Sequence, residues 1–228
     1  MATRRPAPMV APERRSIATV VRDRELVEQR HEQIFNAASR IFISRGYHRA
    51  TVREIAEEAG LSLGSLYSYI RTKEDILYLV FEKLTTTLRK RIREAIDRIQ
   101  DPVGQITAAL RADLRTTEQY QDEILLMYQE TKSLDRQSCR AVLSREAEYV
   151  GFFEEILRVG YERGVFKGDP RLSADIIAYL CSILALRRWN LHRRFSSAEA
   201  MEGLIAFILR GLGVAEGGGR EGAPVARP

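Results

Sequence analysis

Residues 51–69 read TVREIAEEAGLSLGSLYSY. Thr51 followed three residues later by Glu54 is a capping box: the hydroxyl accepts from the Glu54 N–H and the carboxylate reaches back. A short helix therefore opens at Val52 and stops at Gly60, which supplies the positive φ of a tight turn. A second short helix follows over roughly 63–69. Ile55 and Ala59 share one face of the first helix, and Ala56 is small enough for the second to approach closely. Leu61 fills the angle between them, and Leu66 and Ile70 anchor the second helix inward. The pair is a helix-turn-helix. Ser62, Leu63, Gly64, Ser65, Tyr67, Ser68 and Tyr69 then face solvent or a major groove. The small first turn lets a backbone come close, and helix N-terminal N–H groups favour phosphate. Hydroxyls at Ser65, Tyr67 and Tyr69 suit phosphate oxygens, and Ser62 and Ser68 are weak base readers. Taken alone, the segment also fits an ordinary helical hairpin with a polar loop.

Helical periodicity continues on both sides. Ile34, Ala37, Ala38, Ile41 and Phe42 share one face of a helix that stops at Gly46. Thr72 caps a long helix carrying Ile76, Leu77, Val80, Leu84, Leu88, Ile92 and Ile99 at helical spacing. Asp101-Pro102 restarts the chain, with Asp as cap and Pro at the first helical position. Further helices are predicted over about 103–119, 121–134, 138–163, 170–193 and 197–211, the last capped by Ser196-Ser-Ala-Glu199. The segment has no convincing strand pattern and no internal repeat. The predicted fold is all-α with about nine helices: an N-terminal three-helix helix-turn-helix domain and a C-terminal helical domain.

Charge is unevenly distributed. The chain has 228 residues and a net charge of +5. Residues 1–24 hold six arginines against Glu13 and Asp23, residues 25–73 contribute one further positive charge, and residues 74–228 balance at zero. A front-loaded positive charge fits an anionic partner at that end, nucleic acid first. Equally, it fits a solubilising tail. Pro6, Pro8 and Pro12 and the absence of periodicity predict a disordered basic arm over 1–24. Gly, Ala and Pro predict a second disordered tail over 214–228. The domains expected between them are 25–73 and 74–213. No apolar run approaches the roughly 18 residues of a membrane span, so no membrane partner is expected. Cys139 and Cys181 read as reduced, buried thiols of a cytoplasmic protein, with a redox switch as the other reading.

The order and spacing of Ile34-Phe-Asn-Ala-Ala-Ser-Arg-Ile-Phe-Ile-Ser-Arg-Gly-Tyr47, Thr51-Val-Arg-Glu-Ile-Ala-Glu-Glu-Ala-Gly60, Ser65-Leu-Tyr-Ser-Tyr69 and Lys73-Glu74 closely resemble the TetR/AcrR DNA-binding domain. The resemblance implies a bacterial, nucleoid-associated regulator that binds double-stranded operator DNA as a homodimer. By that pattern Thr51, Arg53, Ser65, Tyr67, Tyr69 and Lys73 match DNA-contacting positions, mostly to phosphates. Leu63 and Gly64 match positions near base edges. The basic arm is then either a contact to phosphates or the minor groove, or an inert leader.

The family architecture implies that residues 74–213 bind a small hydrophobic effector and dimerise through the last two long helices. Interface candidates are Ile176, Tyr179, Leu180, Ile183, Leu204, Phe207 and Ile208. Pocket candidates are Leu88, Ile92, Leu110, Leu114, Met127, Tyr128, Phe152, Phe153 and Trp189. Each of these fits plain core as well. Residues 127–134, Glu148-Tyr149, Gly164-Val-Phe166, Asp169-Pro170-Arg-Leu172, Trp189 and Arg210-Gly-Leu212 resemble the branch controlling lipid and fatty-acid catabolism, whose members often sense acyl-CoA thioesters. Arg187, Arg188, His192, Arg193 and Arg194 fit either CoA phosphates or a solvated helix face. Arg187-Arg-Trp-Asn190 departs from that branch, which has an aromatic-rich stretch there. The implied mechanism is a repressor whose two DNA-binding heads change spacing on effector binding, with the helix from Thr72 as the transmission element; activation is the other reading, since the sign depends on where the operator lies relative to the promoter. A regulator of a drug-efflux pump answering to aromatic compounds is the alternative, and a helical interaction module a more distant one.

An enzyme is not expected. His31, His48 and His192 lack metal-ligand spacing, and no phosphate loop, CxxC pair or nucleophile elbow occurs. No catalytic residue, metal ligand or resident cofactor is assigned.

Overall fold

A computed structural model describes residues 15–214. Among them are eleven α-helices and no strand: α1 Arg24–Arg45, α2 Val52–Glu58, α3 Leu63–Tyr67, α4 Lys73–Ile96, α5 Pro102–Gln119, α6 Gln121–Glu130, α7 Arg136–Glu162, α8 Pro170–Cys181, α9 Ile183–Leu186, α10 Arg188–His192 and α11 Ser197–Gly211. A 3-10 turn, Thr131–Ser133, separates α6 from α7. The all-α expectation holds. The count exceeds nine because the helix predicted over 170–193 is broken into α8, α9 and α10. The Ser182 hydroxyl donates back to the Ala178 carbonyl at 3.3 Å, and the Ser182 N–H bonds Tyr179 rather than Ala178. Such back-bonding bends a helix.

The chain forms two compact bodies that interleave in sequence. One ends at Arg89 and resumes over Tyr120–Tyr149; the other takes Lys90–Gln119 and continues from Val150. The expected division at 73/74 differs from this, because α6 and the start of α7 share a core with the helix-turn-helix. That core joins Ile34, Ala38 and Phe42 of α1, Ile55 and Ala56 of α2, Leu66 of α3, Ile76 to Phe81 of α4, Leu126 of α6 and Val142 of α7. Aromatic edge packing of Phe42 on Tyr47, at 5.3 Å between centroids, closes its α1–α2 corner.

In the second body α5 packs against α8, α9 and α11. Its buried side chains include Leu110 and Leu114 of α5, Phe153 and Leu157 of α7, Ile177 and Cys181 of α8, and Ile205 of α11. Gly160 is required by close approach: a Cβ there would lie 2.1 Å from the Phe166 ring. Arg111 holds Glu202 through two bonds of 2.9 Å, linking α5 to α11.

The disorder expected over 1–24 is corrected for Arg15–Asp23. Residues 1–14 and 215–228 lie outside the described residues. Arg15–Asp23, by contrast, run without helix along the first body. Ile17 and Val21 pack on its core, and Asp23 caps α1 by accepting from Glu25 and Leu26.

Candidate nucleic-acid interface

The helix-turn-helix is built by three local devices. Thr51 accepts from the Glu54 N–H at 3.3 Å while Glu54 accepts from the Thr51 N–H at 2.8 Å, so the predicted capping box is present. The Thr51 N–H and the Thr51 hydroxyl both donate to the Glu54 carboxylate and hold it below its ordinary range, with Arg45 adding to the effect. Gly60 sits at φ 68°, and the Leu61 N–H reaches the Ala56 carbonyl at 2.9 Å. That closes α2 with a Schellman-type bond. Ser62 then caps α3 by accepting from Ser65 at 3.0 Å.

These devices fix which face is inside. Ile55, Leu66 and Ile70 are fully buried. On the outside, Thr51, Arg53, Ser62 and Gly64 are exposed, and Tyr67 is 47 % exposed. Leu63, Ser65, Ser68 and Lys73 are half-buried. One member of the expected outer face departs from it: Tyr69 is only 6 % exposed and belongs to the core. The cause is the end of α3 at Tyr67, after which the chain turns inward and the next side chain packs instead of projecting. His31 on α1 sits against the Tyr69 carbonyl at 3.3 Å.

The outer hydroxyls are partly committed. Thr51 donates to Glu54 at 2.8 Å, and Ser68 donates to the Gly64 carbonyl at 3.3 Å. Lys73 donates to the His48 carbonyl at 3.1 Å and lies 4.6 Å over the Tyr47 ring. Burial lowers its pKa, against the pull of Glu74, Glu130 and Glu54. Burial, with Glu74 and Glu130 nearby, also pushes the Tyr47 phenol up to about 12. Two exposed arginines flank the motif and escaped the sequence reading, Arg49 before α2 and Arg71 after α3. Their loop positions gave no periodicity to read.

Gly64 stands at the open start of α3. A Cβ added there would meet nothing within 4 Å, and its φ is not positive. Glycine costs a helix about 1 kcal/mol relative to alanine, and nothing inside the protein requires it here.

The expected pocket residues divide between the two bodies. Leu88, Met127 and Tyr128 fall in the first body, and Ile92, Leu110, Leu114, Phe152, Phe153 and Trp189 in the second. Leu88, Ile92, Leu110, Leu114 and Phe153 are buried core; Met127 and Phe152 are half-buried. Tyr128 and Trp189 are corrected to surface positions, Trp189 being 73 % exposed. Of the interface candidates, Ile176, Tyr179 and Phe207 are exposed, whereas Leu180, Ile183 and Leu204 are half-buried. Ile208 is buried within its own chain. Among the described residues no group of His, Cys, Asp or Glu is placed to hold a metal ion, and no helix is long and apolar enough to cross a membrane.

Comparison with known proteins agrees with this geometry. The family described as "Bacterial regulatory proteins, tetR family" matches residues 34–79, and "Tetracyclin repressor-like, C-terminal domain" matches residues 99–212. The HTH-type transcriptional regulator HbdR of Aromatoleum sp. (strain CIB) is 31% identical over 198 residues, 85% of each chain. The fold is similar to that of the fatty acid degradation regulator FadR from Bacillus halodurans, with a TM-score of 0.67 at 19% identity, covering 79% of this chain and 94% of that one. It is similar also to AibR, solved in complex with isovaleryl coenzyme A and operator DNA, with a TM-score of 0.67 at 20% identity over 78% and 97% of the two chains. Motif, fold and relatives agree, and the chain belongs to the TetR family of bacterial transcriptional regulators.

Proposed function

We propose that the protein is a homodimeric transcriptional repressor that grips a pseudo-palindromic operator with α3 and is released by an acyl-CoA thioester. The observation that carries the DNA-binding part is Gly64. It sits at the open start of α3 with no internal reason to be glycine, and a bare backbone there lets base edges approach closely. Thr51, Arg53, Ser62, Leu63, Ser65, Tyr67, Ser68 and Lys73 complete the proposed interface, and Arg49 and Arg71 add positive charge beside the motif. Most of these groups suit phosphates, so they position the protein more than they read sequence.

The dimer surface is the apolar stripe Leu172, Ile176 and Tyr179 on α8, together with Phe207 on α11, which packs beside it. Tyr179 and Phe207 are 61 % and 60 % exposed in the single chain. Positions i, i+4 and i+7 form one helix face, and a twofold partner covering it brings two recognition helices to half-sites.

The effector class is supported by the solved relative that holds isovaleryl coenzyme A and by the fatty acid degradation regulator of the same fold. The genes controlled are then those of lipid or fatty-acid metabolism. Helix α4 contributes residues to both bodies and is the transmission element. Release requires an effector with unequal affinity for the DNA-bound and free conformations. Footprinting of the region upstream of its own gene, with acyl-CoAs of graded chain length, tests the reading. A protected palindrome that is lost on adding one of them is expected. Protection unmoved by every acyl-CoA refutes the effector class, and no protection refutes the operator assignment.

A further inference from the structure

The segment Arg15–Val21 holds the C-terminal end of α3. The Thr19 hydroxyl and the Val20 N–H both donate to the Ser68 carbonyl, at 2.9 and 3.1 Å. The last carbonyls of a helix lack intrahelical partners, and α3 has only one turn and a half in which to find any. Thr19 is itself fixed, since its hydroxyl accepts from Val21 at 3.1 Å.

The other end of the segment is clamped to α4. The Arg15 guanidinium pairs with Asp75, lies 4.0 Å from Asp135 and stacks 4.8 Å over the Tyr78 ring. The Tyr78 hydroxyl donates to the Arg15 carbonyl at 3.1 Å. Asp75 is buried, and its carboxylate also accepts from the N–H groups of Arg71 and Thr72 at 3.2 and 3.1 Å. Those two residues end the link between α3 and α4. Arg15 therefore neutralises the buried carboxylate that organises this link, and a buried carboxylate left unpaired is strongly unfavourable.

We propose that Arg15–Val21 is an intramolecular strap that sets the orientation of α3, with Arg15 and Thr19 as positioning residues rather than DNA contacts. The proposal rests on α3 being the recognition helix. It separates two roles that a basic N-terminal segment can play. An arginine that meets a phosphate releases counterions, and losing it flattens the dependence of log affinity on log salt by about 0.9. Arg15 already spends its charge inside the protein, so its loss lowers affinity without changing that slope.

The test uses the full chain as wild type, Arg15→Ala, Arg15→Lys and Thr19→Val, with a duplex that the wild type selects from a randomised DNA pool. Amide hydrogen exchange is followed in parallel without DNA. In Arg15→Ala and Thr19→Val the amides of Val20, Tyr69 and Ile70 are expected to exchange about tenfold faster or more, with those of α1 unchanged. Affinity is expected to fall about tenfold at every salt concentration, giving parallel lines. Arg15→Lys, which keeps the charge on Asp75, restores most of both. A slope flattened by about 0.9 in Arg15→Ala makes Arg15 a phosphate contact and overturns the strap. Exchange at Val20, Tyr69 and Ile70 unchanged from wild type overturns it as well. If the wild type selects no duplex, the recognition-helix reading fails, and the exchange data still decide whether the strap holds α3.

Discussion

The phenol of Tyr78 on α4 donates to the main-chain carbonyl of Arg15 at 3.1 Å, beneath the Arg15 guanidinium. Tyr78 is buried, and the side chain of Arg145, paired with Glu82, also contacts its hydroxyl. One phenol thus satisfies an extended segment and a helix–helix ion pair together. Tyr78→Phe keeps the ring and removes the hydroxyl. The expected loss is about 1–3 kcal/mol of unfolding free energy, the cost of leaving buried polar groups short of a partner. Urea unfolding measures it, and an unchanged midpoint would mean that water replaces the hydroxyl.

Gly64→Ala separates folding from binding. The added methyl has open space, so the substitution is expected to stabilise the protein by up to about 1 kcal/mol. Operator affinity is expected to fall by about tenfold or more, because 1.4 kcal/mol of lost contact suffices. Thermal unfolding and a binding titration on the same preparation check both signs. Affinity that is kept would remove Gly64 from the interface.

Glu54 gives the capping box a pH dependence. Its carboxyl is held below its ordinary value of 4.5, first by its Thr51 bonds. A group whose folded value is depressed binds its proton more tightly in the unfolded chain. Its stabilisation is therefore complete above the unfolded value and is lost as pH falls through the folded value. Glu54→Gln removes the titration. The stability difference between wild type and variant is expected to be greatest near neutral pH and to shrink below about pH 4.5. A difference that is constant with pH, measured by urea unfolding, contradicts the assignment.

Charge placed on the apolar stripe is expected to split the dimer without unfolding the chain. Tyr179→Asp and Phe207→Asp alter side chains that are already exposed within one protomer, so helicity should stay unchanged. Sedimentation should report a monomer, and operator affinity should drop with it. A variant that still sediments at the wild-type mass places the interface elsewhere.

The two thiols should differ in reactivity. Cys181 is buried, and burial beside Asp113 pushes its thiol well up, which leaves little thiolate to react. Cys139 is half-buried. A thiol-labelling reagent should modify Cys139 in the native protein and Cys181 only in denaturant. Equal native rates would show that α8 opens readily.

What the sequence determined by itself was everything written within a few residues of chain. The caps at Thr51, Thr72 and Ser196 are local patterns, and each opens a helix at the predicted place. The inward anchors Ile55, Leu66 and Ile70 follow from helical spacing inside one motif, so most of the candidate interface was legible too. Tertiary structure decided whatever depends on a distant partner. An apolar stripe says that a helix face is covered but not by what, so the packing of α6 on α1 and the interleaving of the two bodies were hidden. The same reason explains Trp189, which reads as interior by residue type and lies on the surface. Tyr69 turns inward only because α3 stops at Tyr67. Arg15 and Thr19, in a stretch without periodicity, find their partners at Asp75 and Ser68, where only the folded chain brings a buried carboxylate and an open carbonyl within their reach.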